Sequence, residues 1–236
     1  MLTAGLCRTV EALEFSKLVV DGKSFTLCRV DVRKEHLQLF LHDDAGQPFK
    51  RFERLSTWLD SKGKKLVFAM NAGMFDRNFL PVGLMIAEGK QFSSLNTSTG
   101  DGNFFLKPNG VFLLSDSGAR VIETSEYPSL RAPAILATQS GPLLVRSGNI
   151  HPAFKPDSKN KLVRNGVGVP SPGAVVFVIS EEPVNFYEFA ALFRDKLHCA
   201  DALYLDGVIS SLHSRQLKRS DSHMDLGPIL AITESR

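Results

Sequence analysis

Short apolar stretches punctuated by Gly, Pro, Asn and Asp run the length of the chain, and only two segments carry helical periodicity. Apolar runs predict strands over residues 24–30 and 36–41, joined by a turn at 31–35. Phe52, Leu55, Trp58 and Leu59 recur at three- and four-residue intervals. Residues 51–61 are therefore expected to form an amphipathic helix that stops at Lys62-Gly63. Residues 65–70 read as a buried strand emptying into a loop that reaches Pro81. Residues 82–87, with a turn at Glu88-Gly89, begin a hairpin. The segments 104–106, 110–114 and 119–123 are expected to form a β-meander, followed by strands at 134–138, 143–145, 163–169 and 174–179. Between them, 151–161 is a polar loop. The second helix spans 185–197: Asn185 stands at the N-cap, Glu188 at the capping-box position, and Phe186, Phe189, Ala190, Phe193 and Leu197 share one face. Strands at 202–205 and 227–232 complete the pattern.

Many short strands with two helices, no internal repeat and no linker predict an α+β fold. The expectation is a single domain over 1–236, built on a mixed or antiparallel twisted sheet with a few flanking helices. A length of 236 residues allows a substantial core, and 43% hydrophobic with 22% charged residues suits a globular domain. The net charge of +3 is spread without a basic stripe, which argues against nucleic acid as a partner. No apolar run reaches the ~18 residues of a membrane span. The first residues, Met-Leu-Thr-Ala-Gly-Leu-Cys, lack the basic head and apolar stretch of an intact secretory signal and suit the start of a mature chain. Cysteines at 7, 28 and 199 show no zinc or C-x-x-C spacing, so they are either reduced buried thiols or include a Cys7–Cys28 bridge.

Four segments share a further design, a short apolar strand ending in a small-residue loop with polar side chains: FAMNAGMF (68–75), TQSGPLLV (138–145), RNGVGV (164–169) and LYLDGVISSL (203–212). Their glycines, Gly73, Gly166, Gly168 and Gly207 among them, suggest close approach of the backbone to something. Together they offer Asn71, Gln139, Ser140, Arg164, Asn165, Asp206, Ser210 and Ser211. Arg164 is the candidate for an anionic group, since its planar fork matches two phosphate oxygens; its structural alternative is an ion pair. Asp206 is the candidate base or nucleophile. His151 is a candidate acid or phosphate donor, whereas Asp76 suits a solvated turn. Gly166-Val-Gly168 is not a dinucleotide fingerprint, no histidine spacing marks a metal site, and Ser140 does not lie in G-x-S-x-G.

These motifs, in this order, resemble the Asn-Gly-Gly-Phe-Phe, Gln-Ser-Gly-Pro, Arg-Thr/Asn-x-x-Gly and Leu-Asp-Gly-Gly-x-Ser patterns of the phosphodiester glycosidase family. The resemblance covers about 28–228 and is similar to the family's shorter bacterial branch. Ala72, Val208 and Ile209 stand where the family has glycines or smaller residues. The resemblance implies hydrolysis of a sugar-1-phosphodiester or a cell-envelope glycan, with Arg164 on the phosphate, Asp206 at the anomeric carbon, and Asn71, Gln139, Ser140, Asn165, Ser210 and Ser211, together with Gly73, Gly207 and His151, forming the substrate-binding set. No organic cofactor is called for, and a divalent cation is left open. It also implies export to the periplasm or the exterior. The alternatives are a non-catalytic glycan- or polyanion-binding protein on the same fold, and a hydrolase using Ser140 or Ser210 as nucleophile.

Overall fold

In a computed structural model that describes residues 12–130 and 132–236, the strands form three antiparallel sheets. The largest runs, in spatial order, Leu13–Val20 (β1), Lys23–Asp31 (β2), Ala174–Ser180 (β13), Asn165–Ser171 (β12), Ala202–Tyr204 (β14), Leu143–Arg146 (β10) and Asn149–Ile150 (β11). The second contains Arg219–Ser220 (β16), Leu212–Ser214 (β15), Lys64–Asn71 (β4), Ile229–Ser235 (β17) and Leu37–Phe40 (β3). The third is Lys90–Ser93 (β6), Met85–Ala87 (β5), Leu136–Ser140 (β9), Gly110–Ser115 (β7) and Gly118–Glu123 (β8).

One apolar core lies between the sheets, because alternate residues of each strand face the same side. Phe177 of β13 meets Phe68 of β4 at 5.3 Å and Phe112 of β7 at 5.9 Å, so a single ring ties all three sheets. The helices cover outer faces. Phe52, Leu55 and Leu59 of α1 (Phe52–Ser61) bury against Leu66, Ala69 and Ile229. Phe189 and Phe193, from α2 (Phe186–Ala191) and the turn after it, bury against Val176, Val178 and Tyr204. The α+β expectation therefore holds, with every described pairing antiparallel. Among the described residues no helix is long and apolar enough to cross a membrane.

Three local expectations need correction. Residues 104–106 do not form a strand; Asn103–Phe105 is a 3-10 turn. Gly102, at φ 91°, turns the chain into it, and Pro108 just beyond has no N–H to extend a ladder. The helix expected over 185–197 is α-helical only as far as Ala191 and continues as a π turn, Leu192–Lys196. The wider turn buries the neighbours Leu192 and Phe193 together. Residues 13–20, assigned no element from the sequence, are the edge strand β1. Cys28 and Cys199 are buried free thiols, and Cys7, the partner of Cys28 in the alternative with a bridge, lies outside the described residues.

Candidate active site

The ends of β4, β9 and β14 and the start of β12 converge. At their centre two buried asparagines bond to each other and to the chain around Asp206. Asn165 donates from Nδ2 to the Asn71 carbonyl oxygen (3.0 Å) and to Asn71 Oδ1 (2.9 Å). Asn71 Nδ2 donates to the Asp206 carbonyl oxygen (3.0 Å), and the Asp206 N–H donates to Asn165 Oδ1 (3.1 Å). Asn71 Oδ1 also accepts the Ser211 N–H at 2.8 Å, and Ser210 Oγ donates to Asn165 Oδ1 at 3.3 Å. Ser140 Oγ donates to the Leu205 carbonyl. Asparagine suits these positions because its amide offers two N–H donors and a separate acceptor oxygen without charge, where an ionised carboxylate has no donor and a hydroxyl only one. The result is that the backbone N–H and C=O of Asp206 are both held by the asparagine pair.

That side chain is half-buried and accepts a hydrogen bond from the Val208 N–H. Burial raises its pKa from 3.8 to about 6, against the lowering effect of the Val208 bond. No arginine or lysine pairs with it among the described residues. A carboxyl poised near pH 6 is suited to acid–base or nucleophilic work.

Arg164 does not face Asp206 directly. As the neighbour of Asn165 its side chain emerges on the opposite side of the sheet, the side covered by α2. There it is fully buried, with the guanidinium carbon 3.7 Å above the Phe186 ring and 5.6 Å from that of Tyr204. Nε donates to the Val184 carbonyl (2.9 Å), Nη2 to the Asn160 carbonyl (3.1 Å), and Nη1 to the Tyr204 hydroxyl (3.4 Å). Burial draws its pKa down, opposed by Tyr204. Among the described residues no carboxylate pairs with it, so the ion-pair alternative finds no partner there. Tyr204 links the two halves of the site. Its hydroxyl also accepts the Gly207 N–H and senses the charge of Asp206, while burial pushes its pKa up to about 12. A Cβ at Gly207 would lie 1.9 Å from that hydroxyl, so only glycine fits there.

The remaining expected residues do other things. Gln139 Oε1 accepts the N–H groups of Leu84 (3.0 Å) and Asn96 (2.9 Å), while Nε2 donates to Asn96 O (2.7 Å) and Thr124 Oγ1 (3.2 Å). Its amide is saturated, so it staples loops and has no group left to offer a substrate. Gly73 lets the loop after β4 touch β9: a Cβ there would meet Thr138 Oγ1 at 2.6 Å. His151 is buried away from the asparagine pair, stacked on Phe154 at 4.7 Å, with Nδ1 accepting the Ala153 N–H. The close approach expected at Gly166 and Gly168 is to α2 and its π turn, where Phe189 and Phe193 would lie 3.1 and 2.7 Å from added Cβ atoms. Asp76 closes a turn on the N–H groups of Asn78 and Leu80, and Glu188 completes the capping box with Asn185. Ser140 and Ser210 bond to backbone carbonyls or amides and have no histidine partner, which leaves neither with a base. The sequence reading missed Tyr204 and Phe186 as site residues; an aromatic in a strand or on an amphipathic helix looks like core packing, and here it is that as well.

Known proteins resemble this chain in sequence and in fold. A family model described as phosphodiester glycosidase matches residues 64–221. The chain is 33% identical over 186 residues to the uncharacterised protein YigE of Escherichia coli (strain K12), covering 79% of this chain and 72% of that one. Its fold is similar to the catalytic domain of zebrafish N-acetylglucosamine-1-phosphodiester alpha-N-acetylglucosaminidase, with a TM-score of 0.66 and 16% identity over 98% of this chain and 86% of that one. A putative exported protein of Burkholderia pseudomallei K96243 superposes with a TM-score of 0.56 and 10% identity, over 89% of this chain and 74% of that one.

Proposed function

Since the chain belongs to the phosphodiester glycosidase family, we propose that it hydrolyses the bond between a sugar's anomeric carbon and a phosphodiester oxygen, with Asp206 as base or nucleophile. The departing group is a phosphate monoester, which holds its negative charge stably and needs little protonation. One carboxylate then suffices where ordinary glycosidases use two. Asp206 in its ionised form either activates a water or attacks the anomeric carbon. The backbone on both sides of Asp206 is held by Asn71 and Asn165, with Ser210, Ser211 and Ser140 bracing the same turn, so its direction is set before substrate arrives. Arg164 supplies uncompensated positive charge close by, and it attracts the phosphodiester through its field more than through its occupied N–H groups.

The observation that supports this reading best is the half-buried carboxyl of Asp206 at the meeting point of four loops, its pKa raised to about 6. On a sugar-1-phosphodiester such as the methyl diester of N-acetylglucosamine 1-phosphate, kcat/KM should rise with pH through about 6 and then level. Asp206→Asn should lower kcat by about 10²–10⁴-fold, and Arg164→Ala should act mainly on KM. If both variants turn over the diester like the unaltered protein, the mechanism is wrong.

A second reading, a glycan- or polyanion-binding protein without turnover, is favoured by Val208, which projects beside Asp206 with 66% of its surface exposed where the family motif has glycine. Calorimetry alongside hydrolysis of the same sugar-1-phosphodiester separates the two: binding without turnover favours the second reading. The proposed activity carries with it a periplasmic or secreted location, for which cell fractionation is the check.

A further inference from the structure

Asp206 is followed by glycine, and an Asp-Gly pair carries a chemistry of its own. The Gly207 nitrogen can attack the Asp206 side-chain carboxyl, and glycine hinders that attack least because it has no Cβ. The N–Cγ bond forms as the Cγ–OH bond breaks, and water leaves with the Gly207 amide hydrogen. The product is a cyclic imide. Water then reopens it at either carbonyl, and opening on the backbone side leaves an isoaspartyl linkage. That linkage lengthens the main chain by one carbon and carries the free carboxyl away from its place. The acid form of the side chain is the one that expels water, and burial keeps Asp206 partly in that form up to about pH 6.

Geometry opposes the reaction. The nitrogen reaches Cγ only if the peptide between Asp206 and Gly207 rotates, and that one peptide is held at both ends. Its carbonyl oxygen accepts from Asn71 Nδ2 at 3.0 Å. Its N–H is accepted by the Tyr204 hydroxyl, which packs so close to Gly207 that an added Cβ would lie 1.9 Å from it. The hydroxyl is a poor base for the amide hydrogen, since it also accepts from the Arg164 guanidinium (3.4 Å). The carboxyl is tied separately, by the Val208 N–H. The chain holds two more Asp-Gly pairs, Asp21-Gly22 and Asp101-Gly102, and these lie in the open. All four of those residues are exposed, and a Cβ at either glycine would meet nothing within 4 Å.

We propose that Asp206-Gly207 is a latent self-modification site, and that Tyr204 and Asn71 keep it closed by clamping the peptide that would have to turn. The clamp preserves Asp206 as an ordinary aspartate in a turn whose sequence favours its loss. None of this depends on what Asp206 does to a substrate.

The test is incubation of the full chain near pH 6, then proteolysis and mass spectrometry, with isoaspartyl and aspartyl peptides separated by chromatography. Isoaspartate should build up at Asp21 and Asp101 while Asp206 lags about tenfold or more, because the clamped turn must first open. In guanidinium chloride the three positions should react at similar rates. Tyr204→Phe removes one end of the clamp and should raise the rate at Asp206 about tenfold, with Asp21 and Asp101 unchanged. Phe186→Leu trims the ring packed edge-on against Tyr204 at 4.8 Å, leaves the hydroxyl in place, and should raise it far less. Asp206 keeping pace in the folded chain, a lag that persists in denaturant, or equal rates at Asp206 in the two variants would each overturn the proposal. If Tyr204→Phe does not fold, the comparison of folded and denatured chain decides by itself.

Discussion

Replacing Asp206 by asparagine should make the protein more stable at neutral pH while removing its activity. The folded carboxyl has its pKa raised from 3.8 to about 6 because burial disfavours the ionised form. A raised folded pKa means that stability is fully present below the unfolded pKa and is lost as pH rises through about 6. Above that pH the ionised Asp206 therefore carries a penalty. Each pKa unit is worth about 1.4 kcal/mol, so the difference between 3.8 and about 6 sets an upper bound near ~3 kcal/mol. Because the side chain is partly open to solvent, ~1–3 kcal/mol is the working range. Asparagine is nearly isosteric, keeps an Oδ1 for the Val208 N–H and never ionises. The stabilisation of Asp206→Asn should thus be near zero around pH 4 and reach its plateau around pH 8. Urea unfolding of both proteins at the two pH values measures it, and the corresponding rise in thermal midpoint at pH 8 is about 2–4 °C per kcal/mol for a chain of this size. A stability difference that is the same at both pH values, or a loss of stability at pH 8, would refute the assignment of Asp206 as a strained carboxyl kept for function.

Two further outcomes follow from the same geometry. Asn165→Asp removes the donor serving Asn71 O and Oδ1 and puts a charge in a fully buried position, so it should destabilise by ~2–5 kcal/mol. The loss should be smaller at pH 4 than at pH 8 in denaturant titration, because the protonated acid restores one donor; a pH-independent loss would argue against the bonding scheme. Gly207→Ala drives a Cβ to 1.9 Å from the Tyr204 hydroxyl and should cost ~1–3 kcal/mol. Tyr204→Phe should relieve part of that cost, and strict additivity in the double-mutant cycle would show that the two residues do not touch in this way.

Much of the fold and site was legible along the chain. Periodicity marked α1, and the Asn185/Glu188 pair marked the start of α2 with its capping box. Most strands declared themselves through apolar runs bounded by turn residues, since a sheet buried on both faces leaves little alternation to read. Strand β1 was missed because its burial is partial throughout and its contrast weak. The π turn after α2 left no mark either, because hydrophobic spacing alone does not distinguish a widened turn from a regular one.

The four loops were also visible as a set, and they do converge on Asp206. Their internal division of labour was not. Asn71 and Asn165 were read as substrate groups and turn out to be bonded to each other and to the Asp206 backbone. Gln139 is a saturated staple, and Arg164 points to the other side of its sheet. What this sequence determined by itself was which residues have chemistry to offer and which elements deliver them, because those follow from side-chain type and from periods of two and 3.6 residues. What only the tertiary structure decided was which of two adjacent side chains, Arg164 or Asn165, turns toward Asp206. In a strand that choice flips with every residue and is set by register and by which sheet face the core occupies, and both depend on pairings with segments far away in the chain.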